Sequence, residues 1–324
     1  MRKIHLFIFC LIFPCLFYTQ TLAQKKSAGK IESSPALQTL LTNAVSSALD
    51  AKFQQHTINQ ENVAVTLIDL RDPKNLKMAN INGDTKIYPA SVVKLFYMVR
   101  LEQMLEDKQI KMTPELERGL KDMIVVSSNE ATQYILDVIT DTSSGGEMPE
   151  KEFKKWAYKR NSVNRYFQSL GYENINVNQK TFCEDAYGRE QQFRNYKGEN
   201  RNMLTTDATA RLLSEIVLGN AVTPERSRIM MNLLKRDPFA ETSDPDDQGH
   251  GFSGIALVKR NLKNARLWSK AGWTSKARHD AAYIETPDGL KFVLVVFTEN
   301  AANDRDIIPD IAGYVLDNLG KIKD

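Results

Sequence analysis

Three short groups of residues in this chain carry side chains suited to acyl-transfer chemistry. The first motif is Ser91-Val92-Val93-Lys94, in which a hydroxyl and an amine lie three positions apart. If this stretch starts a helix, the two side chains share a face, and an amine whose pKa is lowered by burial beside another cation can take the hydroxyl proton. A helix start also presents N–H groups that stabilise a developing alkoxide. The alternative is a helix-capping Ser91 followed by a surface Lys94.

The second and third motifs are Ser127-Ser128-Asn129, in a turn between two predicted helices, and Lys270-Ala271-Gly272, just before Trp273-Thr274. The second offers a hydroxyl and a carboxamide from one turn. The third, the only K-x-G in the chain, has small residues that let a substrate lie close along a strand. Each motif alone is weak, because Ser27-Ala28-Gly29-Lys30 and Ser162-Val163-Asn164 repeat the first two patterns and Ser and Asn also cap helices.

Hydrophobic patterning predicts the elements that position these motifs. Runs rich in apolar and β-branched residues predict strands at 63–68, 78–81, 265–273, 280–286 and 290–298, the first of them apolar on both faces. Helical spacing and caps predict helices from Pro35, from Ser91 to about Asp107, from Pro114, over 131–139, over 207–218 and over 308–319. A further predicted helix carries the basic residues from Lys151 to Arg165, which we interpret as a solvated face. Residues 172–204 read as a long loop. The pattern favours one α/β domain over 35–324, with one lobe from about 35–87 and 215–324 and an inserted α lobe over about 88–214.

The N-terminus is typical of a secretory signal. Basic Arg2-Lys3 precedes an apolar run, Ile4–Tyr18, and a small residue, Ala23, ends the segment. The run is short for a membrane span, so an uncleaved anchor is the less favoured alternative. We therefore expect a secreted or periplasmic protein with no stable membrane span after cleavage, and a flexible leader over 24–34. Cleavage leaves Cys183 as the sole cysteine, which excludes an internal disulfide.

Composition limits the partners. The 324 residues are 42% hydrophobic and 26% charged, as in ordinary globular proteins, and 43 Lys+Arg against 40 Asp+Glu give a formal +3. This small charge argues against nucleic acid as a main partner. The predicted mature chain holds only His56, His250 and His279, with no H-E-x-x-H and no Walker or Rossmann glycine motif. We expect no metal and no cofactor.

The order of the three motifs resembles that of the class A β-lactamase family, and more widely that of related D-alanyl-D-alanine peptidases. Flanking residues agree at Pro89–Leu95, at Met123–Thr132 and at Ala282–Gly289, and the resemblance covers about residues 36–320. It implies an α/β fold with an antiparallel sheet flanked by helices and an inserted all-α lobe.

The resemblance also implies site residues. Ser91 would attack a carbonyl and carry the acyl group, Lys94 would help take its proton, and Ser127 would relay a proton to the leaving nitrogen. Substrate would be bound by Asn129, Lys270, Gly272, Trp273, Thr274 and Arg278, with the oxyanion held by backbone N–H groups of Ser91 and Trp273.

Three positions depart from the family pattern. Ser128 stands where class A members have Asp, which leaves the bracing of the turn open. Ala271 stands where Thr or Ser is usual, so a hydroxyl for the substrate carboxylate is missing, and Arg278 or His279 on the same hairpin is the expected replacement.

The deacylating carboxylate is the third departure, because no E-x-x-L-N segment is present. Counting back from Thr205-Thr206-Asp207 places Glu190 at the expected position. Glu184 is the other candidate, and a solvated loop carboxylate is the plain alternative. Without such a base, acylation proceeds and hydrolysis stalls.

The favoured function is therefore hydrolysis of the β-lactam amide through a Ser91 acyl-enzyme, with a small β-lactam or peptidoglycan-derived molecule as the substrate. The alternatives are a D-alanyl-D-alanine carboxypeptidase or penicillin-binding protein, a non-catalytic module that binds peptidoglycan fragments, and an esterase for small acyl esters.

Overall fold

A seven-stranded mixed sheet forms the centre of the described chain. The computed structural model describes residues 31–55, 57–182, 185–198 and 200–322; the predicted signal segment, leader residues 24–30, His56, Cys183 and Glu184 lie outside them. The strands are β1 (Glu32–Ser33), β2 (Val63–Asp69), β3 (Lys77–Ile81), β4 (Lys235–Arg236), β5 (Arg266–Trp273), β6 (Ala277–Glu285) and β7 (Lys291–Glu299). Their order is β1-β3-β2-β7-β6-β5-β4. Every pairing between these strands is antiparallel except the parallel β1–β3 pair.

The short strand β1 corrects the predicted extent of the flexible leader. Glu32 and Ser33 pair with Lys77 and Met78 of β3, so residues 32–33 belong to the fold. Ser34 then caps α1, accepting the Leu37 N–H at 3.2 Å. A two-residue polar strand has no alternation to reveal it, which is why the sequence did not predict it.

Eleven α-helices accompany the sheet in the described residues. They are α1 (Pro35–Gln54), α2 (Lys94–Glu106), α3 (Pro114–Ile124), α4 (Asn129–Thr140), α5 (Glu150–Arg160), α6 (Ser162–Ser169), α7 (Arg189–Arg194), α8 (Thr206–Val217), α9 (Pro224–Leu234), α10 (Gly254–Lys259) and α11 (Ile307–Asn318). Six of the predicted helices correspond to α1, α2, α3, α4, α8 and α11, and the predicted helix with the basic residues Lys151 to Arg165 is divided into α5 and α6. Helix α7 lies inside the segment predicted as loop, and α9 and α10 were also missed. No helix within the described ranges is long and apolar enough to cross a membrane.

Two apolar layers hold the sheet between helices. Helices α1 and α11 pack on each other and cover one face, where Leu41, Val65 and Ile311 are buried in one cluster. The other face is covered by α8 and the helices inserted between β3 and β4, through a cluster that includes Phe96 and Val295. Strand β2 is buried along its whole length, as its continuous apolar run predicts. The α/β fold with an inserted helical segment is confirmed.

Candidate active site

The first motif lies in a tight turn that leads into a helix. Ser91 is in the 3₁₀ turn Ala90–Val93, which runs directly into α2 at Lys94, so the predicted helix start is confirmed. Ser91 is partly exposed, whereas Lys94 is fully buried. Ala90 has φ +46°, a left-handed conformation that side chains other than glycine seldom adopt. Such backbone strain is typical of functional sites, where surrounding structure holds it.

The third motif passes directly against this turn. A Cβ atom placed on Gly272 would lie 2.8 Å from the Ser91 nitrogen, 2.9 Å from the Pro89 oxygen and 3.0 Å from the Val92 nitrogen. All three are backbone atoms of the segment Pro89–Val93, called the Ser91 turn below. Strand β5 can therefore approach this turn so closely only with glycine at this position. The end of β5 therefore packs directly against the turn that contains Ser91.

The second motif joins the first through Lys94. Lys94 Nζ lies within hydrogen-bonding distance of the Ser127 carbonyl oxygen at 2.6 Å, the Ser127 hydroxyl at 3.1 Å and Asn129 Oδ1 at 2.9 Å. Ser127 has a φ angle of +60°, so it is the second residue of the site, after Ala90, with a left-handed backbone conformation. The hydroxyl and the carboxamide that the sequence singled out are thus brought to the amine of the first motif.

Lys270 approaches the same hydroxyl from the other side. Its Nζ lies 3.0 Å from Ser127 Oγ and 2.7 Å from the Ala271 carbonyl oxygen, and its side chain is fully buried. Burial, followed by the nearby charges of Lys94 and Arg236, lowers the pKa of Lys270 well below its usual 10.5. Two buried amines thus share one serine hydroxyl, an arrangement that can carry protons between groups at neutral pH.

Ser128 takes over the bracing of the turn. Its hydroxyl accepts the Ala131 N–H at 3.0 Å and caps α4, and it also donates to Glu130 at 3.1 Å. The Ser128 N–H donates to the Asp122 carbonyl at 3.0 Å. A serine at this position therefore keeps the turn closed by capping the helix.

The expected replacements for the missing hydroxyl of Ala271 are engaged elsewhere. Arg278 is 2% exposed; its Nη1 donates to Asp246 at 2.8 Å, its Nη2 donates to the Gly251 carbonyl, and its guanidinium lies over Phe252 at 4.2 Å. These contacts hold the loop before α10, so the structure does not support Arg278 as a substrate-carboxylate group. Ala271 itself is buried in the apolar layer beneath α1 and α11.

His279 binds the backbone just before the Ser91 turn. Its Nε2 donates to the Tyr88 carbonyl at 2.9 Å, and its Nδ1 accepts the Thr298 N–H at 3.1 Å. Burial lowers its pKa to about 4, so the ring is neutral at physiological pH. His279 therefore ties β6 and β7 to the segment three residues before Ser91, and offers no charge to a substrate.

Trp273 and Thr274 form the end of β5 and the start of the turn that follows it. Thr274 Oγ1 accepts the N–H groups of Lys276 and Ala277, both at 3.1 Å, and so closes the β5–β6 turn. The Trp273 ring packs toward Phe252, with centroids 6.0 Å apart, and is still 39% exposed.

Glu190 lies in a buried ion cluster. Arg160 donates to both carboxylate oxygens, at 2.8 and 2.9 Å, and Ser144 donates to Oε1 at 2.9 Å. Arg160 also donates to Asp137 at 2.9 Å, and Asp137 follows Asn129 by eight residues on α4. A helix rises 1.5 Å per residue, so this cluster lies roughly 12 Å along α4 from the second motif.

The cluster has the features of a structural site. Glu190 is 1% exposed and Arg160 is fully buried, and Lys180 adds a second cation 3.5 Å from Glu190 and 2.6 Å from Asp137. Two cations and two carboxylates satisfy one another. The sequence spacing that selected Glu190 therefore found a residue that anchors α7 to α4 and α5, and the structure does not bring it to the three motifs.

Two buried residues next to the third motif were missed by sequence reasoning. Gln248 accepts a hydrogen bond from Lys270, and Asp280, opposite Ala271 in the β5–β6 register, accepts the Ser253 N–H at 3.1 Å. Burial raises the pKa of Asp280 to about 6. Neither lies in a short sequence pattern that would indicate a role in the site. The described residues contain no group of three or more side chains placed to hold a metal ion.

Comparison with known proteins gives one family and one fold. A family model described as the beta-lactamase enzyme family matches residues 44–319. A β-lactamase structure from Sphaerobacter thermophilus is 20% identical, with 88% of this chain and 99% of that chain covered and a TM-score of 0.60. A class A β-lactamase from Bacteroides cellulosilyticus is 16% identical, with 88% of this chain and 99% of that chain covered and a TM-score of 0.59. The structure of PBP-A is 17% identical, with 91% of this chain and 98% of that chain covered and a TM-score of 0.60. No curated protein matches the chain.

Proposed function

Because the chain belongs to the beta-lactamase enzyme family, we propose that it is a serine hydrolase that opens the β-lactam amide through an acyl-enzyme on Ser91. The observation that carries the proposal is the position of Ser127 Oγ, within hydrogen-bonding distance of both Lys94 and Lys270, beside a turn that Gly272 packs against. These groups match the needs of a reaction that must move protons and stabilise an oxyanion.

The acylation step uses these groups in order. Ser91 Oγ attacks the lactam carbonyl carbon, and its proton passes to Lys94, one turn along, which enters the step as the neutral amine. The carbonyl oxygen carries the negative charge and is stabilised by the backbone N–H groups of Ser91 and Trp273. The C–N bond then breaks, the nitrogen takes the Ser127 proton, and Lys94 returns its proton to Ser127. The step gains and loses no net proton.

Substrate binding rests on a small set of groups. Asn129, whose Oδ1 lies 2.9 Å from Lys94 Nζ, is the carboxamide that we assign to a substrate carbonyl. Lys270 supplies the positive potential for a substrate carboxylate. With Arg278 committed to Asp246, Lys270 is the cation we assign to this task.

Deacylation is assigned to Glu184 in place of Glu190. Glu190 is held by Arg160, whereas Thr181, three residues before Glu184, accepts a hydrogen bond from Gln133, one turn along α4 from Asn129. Glu184 lies outside the described residues, so the assignment rests on its place in the chain. Mass spectrometry should show a longer-lived acyl adduct in Glu184→Gln than in wild type, and an unchanged lifetime would refute it.

The function is tested by turnover. Wild-type protein should hydrolyse nitrocefin and be labelled by a fluorescent penicillin, and Ser91→Ala should do neither. Stable labelling without turnover would instead indicate a penicillin-binding protein or D-alanyl-D-alanine carboxypeptidase. Absence of labelling in wild type would favour the non-catalytic peptidoglycan-binding alternative. Turnover of small acyl esters alone would favour an esterase.

The location is proposed from the N-terminus. A basic start, a short apolar run and Ala23 favour export, and β-lactam or peptidoglycan substrates would be met in the periplasm or outside the cell. N-terminal sequencing of the protein exported by a bacterial host should begin at Gln24, and retention of Met1 would contradict the proposal.

A further inference from the structure

A buried carboxamide outside the three motifs binds the catalytic cluster. Gln248, in the loop between β4 and α10, is 5% exposed. Its Oε1 accepts from Lys270 Nζ at 2.5 Å and from the Ala271 N–H at 3.2 Å. Its Nε2 donates to the carbonyl oxygens of Val125 at 2.8 Å and Ile124 at 3.2 Å. Two donors and two acceptor positions are all a carboxamide has, so the group is fully used and its orientation is fixed.

The four partners belong to two separate parts of the site. Lys270 and Ala271 are on β5, whereas Ile124 and Val125 end α3 and lead, two residues later, to Ser127. One side chain thus fastens the third motif to the second. The two carbonyl oxygens require a donor and Lys270 requires an acceptor, so an amide satisfies both sides, whereas a carboxylate or an apolar group fails on at least one.

The same contact sets the direction of the Lys270 ammonium. Its three N–H groups meet three oxygens: Gln248 Oε1, the Ala271 carbonyl and Ser127 Oγ. Because two of these acceptors are fixed by the loop and the strand, the third N–H is aimed at Ser127. We infer that Gln248 is a positioning residue for acylation: it aims Lys270 at the Ser127 hydroxyl and holds β5 against the segment before the second motif.

This inference rests on the proposed function, since it concerns how fast Ser91 is acylated. Without Gln248 the Lys270 ammonium loses its 2.5 Å acceptor, and Ser127 loses an aligned donor. A displacement of about 1 Å in such a group lowers rates by roughly 10²-fold, with little effect on binding of parts of the substrate that do not react. Loss of acylation rate with a preserved affinity is therefore the expected pattern.

The experiment measures the acylation rate constant and the apparent β-lactam affinity from pH 5 to 10 in wild type, Gln248→Met and Gln248→Glu. Gln248→Met should be acylated at least 30-fold more slowly than wild type, with an apparent affinity within about threefold of the wild-type value. The alkaline limb of its pH–rate profile should move to lower pH, because the Lys270 ammonium has lost an acceptor. Gln248→Glu should move the same limb to higher pH because a carboxylate stabilises the ammonium. Opposite shifts cannot arise from loosened packing.

The matched control is Gln38→Met, which removes a carboxamide that bridges α1 to Asn80 of β3 with two hydrogen bonds, at 2.9 and 3.4 Å. It should leave rate and pH profile unchanged. If wild type acylates but both Gln248 variants keep its alkaline limb and lose only melting temperature, Gln248 is merely structural and the inference is wrong. If wild type itself forms no adduct, the proposed function fails instead.

Discussion

Substitution of Gly272 by alanine tests the contact between strand β5 and the Ser91 turn. The new Cβ would lie 2.8 Å from the Ser91 nitrogen and 2.9 Å from the Pro89 oxygen. Favourable separations begin near 3.5 Å, so the strand and the turn must move apart by roughly 0.6 Å. Both close atoms are backbone, so no side chain can rotate away. The displacement falls on the Ser91 N–H, one of the two donors assigned to the oxyanion.

The expected cost follows from that displacement. Removing one oxyanion donor lowers rates by about 10² to 10³-fold, and a partial displacement should approach the lower figure, about 2.7 kcal/mol of transition-state stabilisation. Overpacking a buried contact costs about 1–3 kcal/mol of folding free energy, which lowers the melting temperature by several degrees in a domain of this size. The effect on the rate should thus exceed what partial unfolding at 25 °C can explain.

The assay is the rate of labelling by a fluorescent penicillin at 25 °C, measured beside a thermal melt. Gly146→Ala is the matched control, because a Cβ there meets no atom within 4 Å. It should label like wild type. Labelling of Gly272→Ala within threefold of wild type would refute the reasoning, because the turn could then accept the displacement without loss of the oxyanion site.

Three further changes separate structural from catalytic roles. Glu190→Gln breaks a buried ion pair with Arg160, so it should lose about 3–5 kcal/mol of stability while the acyl-adduct lifetime by mass spectrometry stays at the wild-type value; a much longer lifetime would restore Glu190 as the deacylating base. Asp280→Asn should raise the melting temperature at pH 8 but not at pH 4. Burial raises the pKa of Asp280 from 3.8 to about 6, so the stability that its proton provides is complete below pH 3.8 and is lost as pH rises through 6. A melting-temperature difference that is the same at both pH values would contradict this. Arg278→Met leaves Asp246 without a buried partner and should lower the melting temperature while KM for penicillins at 15 °C changes less than threefold, whereas a large rise in KM would return Arg278 to the substrate site.

The sequence predicted the parts of the site that depend on short spacing. Ser91 and Lys94 lie three positions apart, so any helix start brings them to one face, and Pro89 with the apolar run after it marks that start. The β5–β6–β7 meander was also predicted, because runs rich in apolar and β-branched residues mark its strands and a Pro-Asp-Gly turn separates the last two. Local spacing therefore predicted the turn that leads from Ser91 into α2 and the strand whose Gly272 packs against it.

Charged side chains were the part that sequence could not place. Glu190 and Arg278 sit at plausible positions in the chain, but their partners, Arg160 and Asp246, are 30 and 32 residues away. A buried charge takes whichever counter-charge the fold supplies, and no local pattern encodes that choice. Gln248 escaped for the same reason, because it reaches Lys270 across a loop of irregular backbone.

The most direct test of the account is the mass of the intact protein after a short incubation with benzylpenicillin, followed by peptide mapping. The account predicts a mass increase of one penicilloyl group, located on the peptide that contains Ser91 and absent from Ser91→Ala. An adduct on any other residue, or hydrolysis of the antibiotic by Ser91→Ala at the wild-type rate, would contradict the central claim.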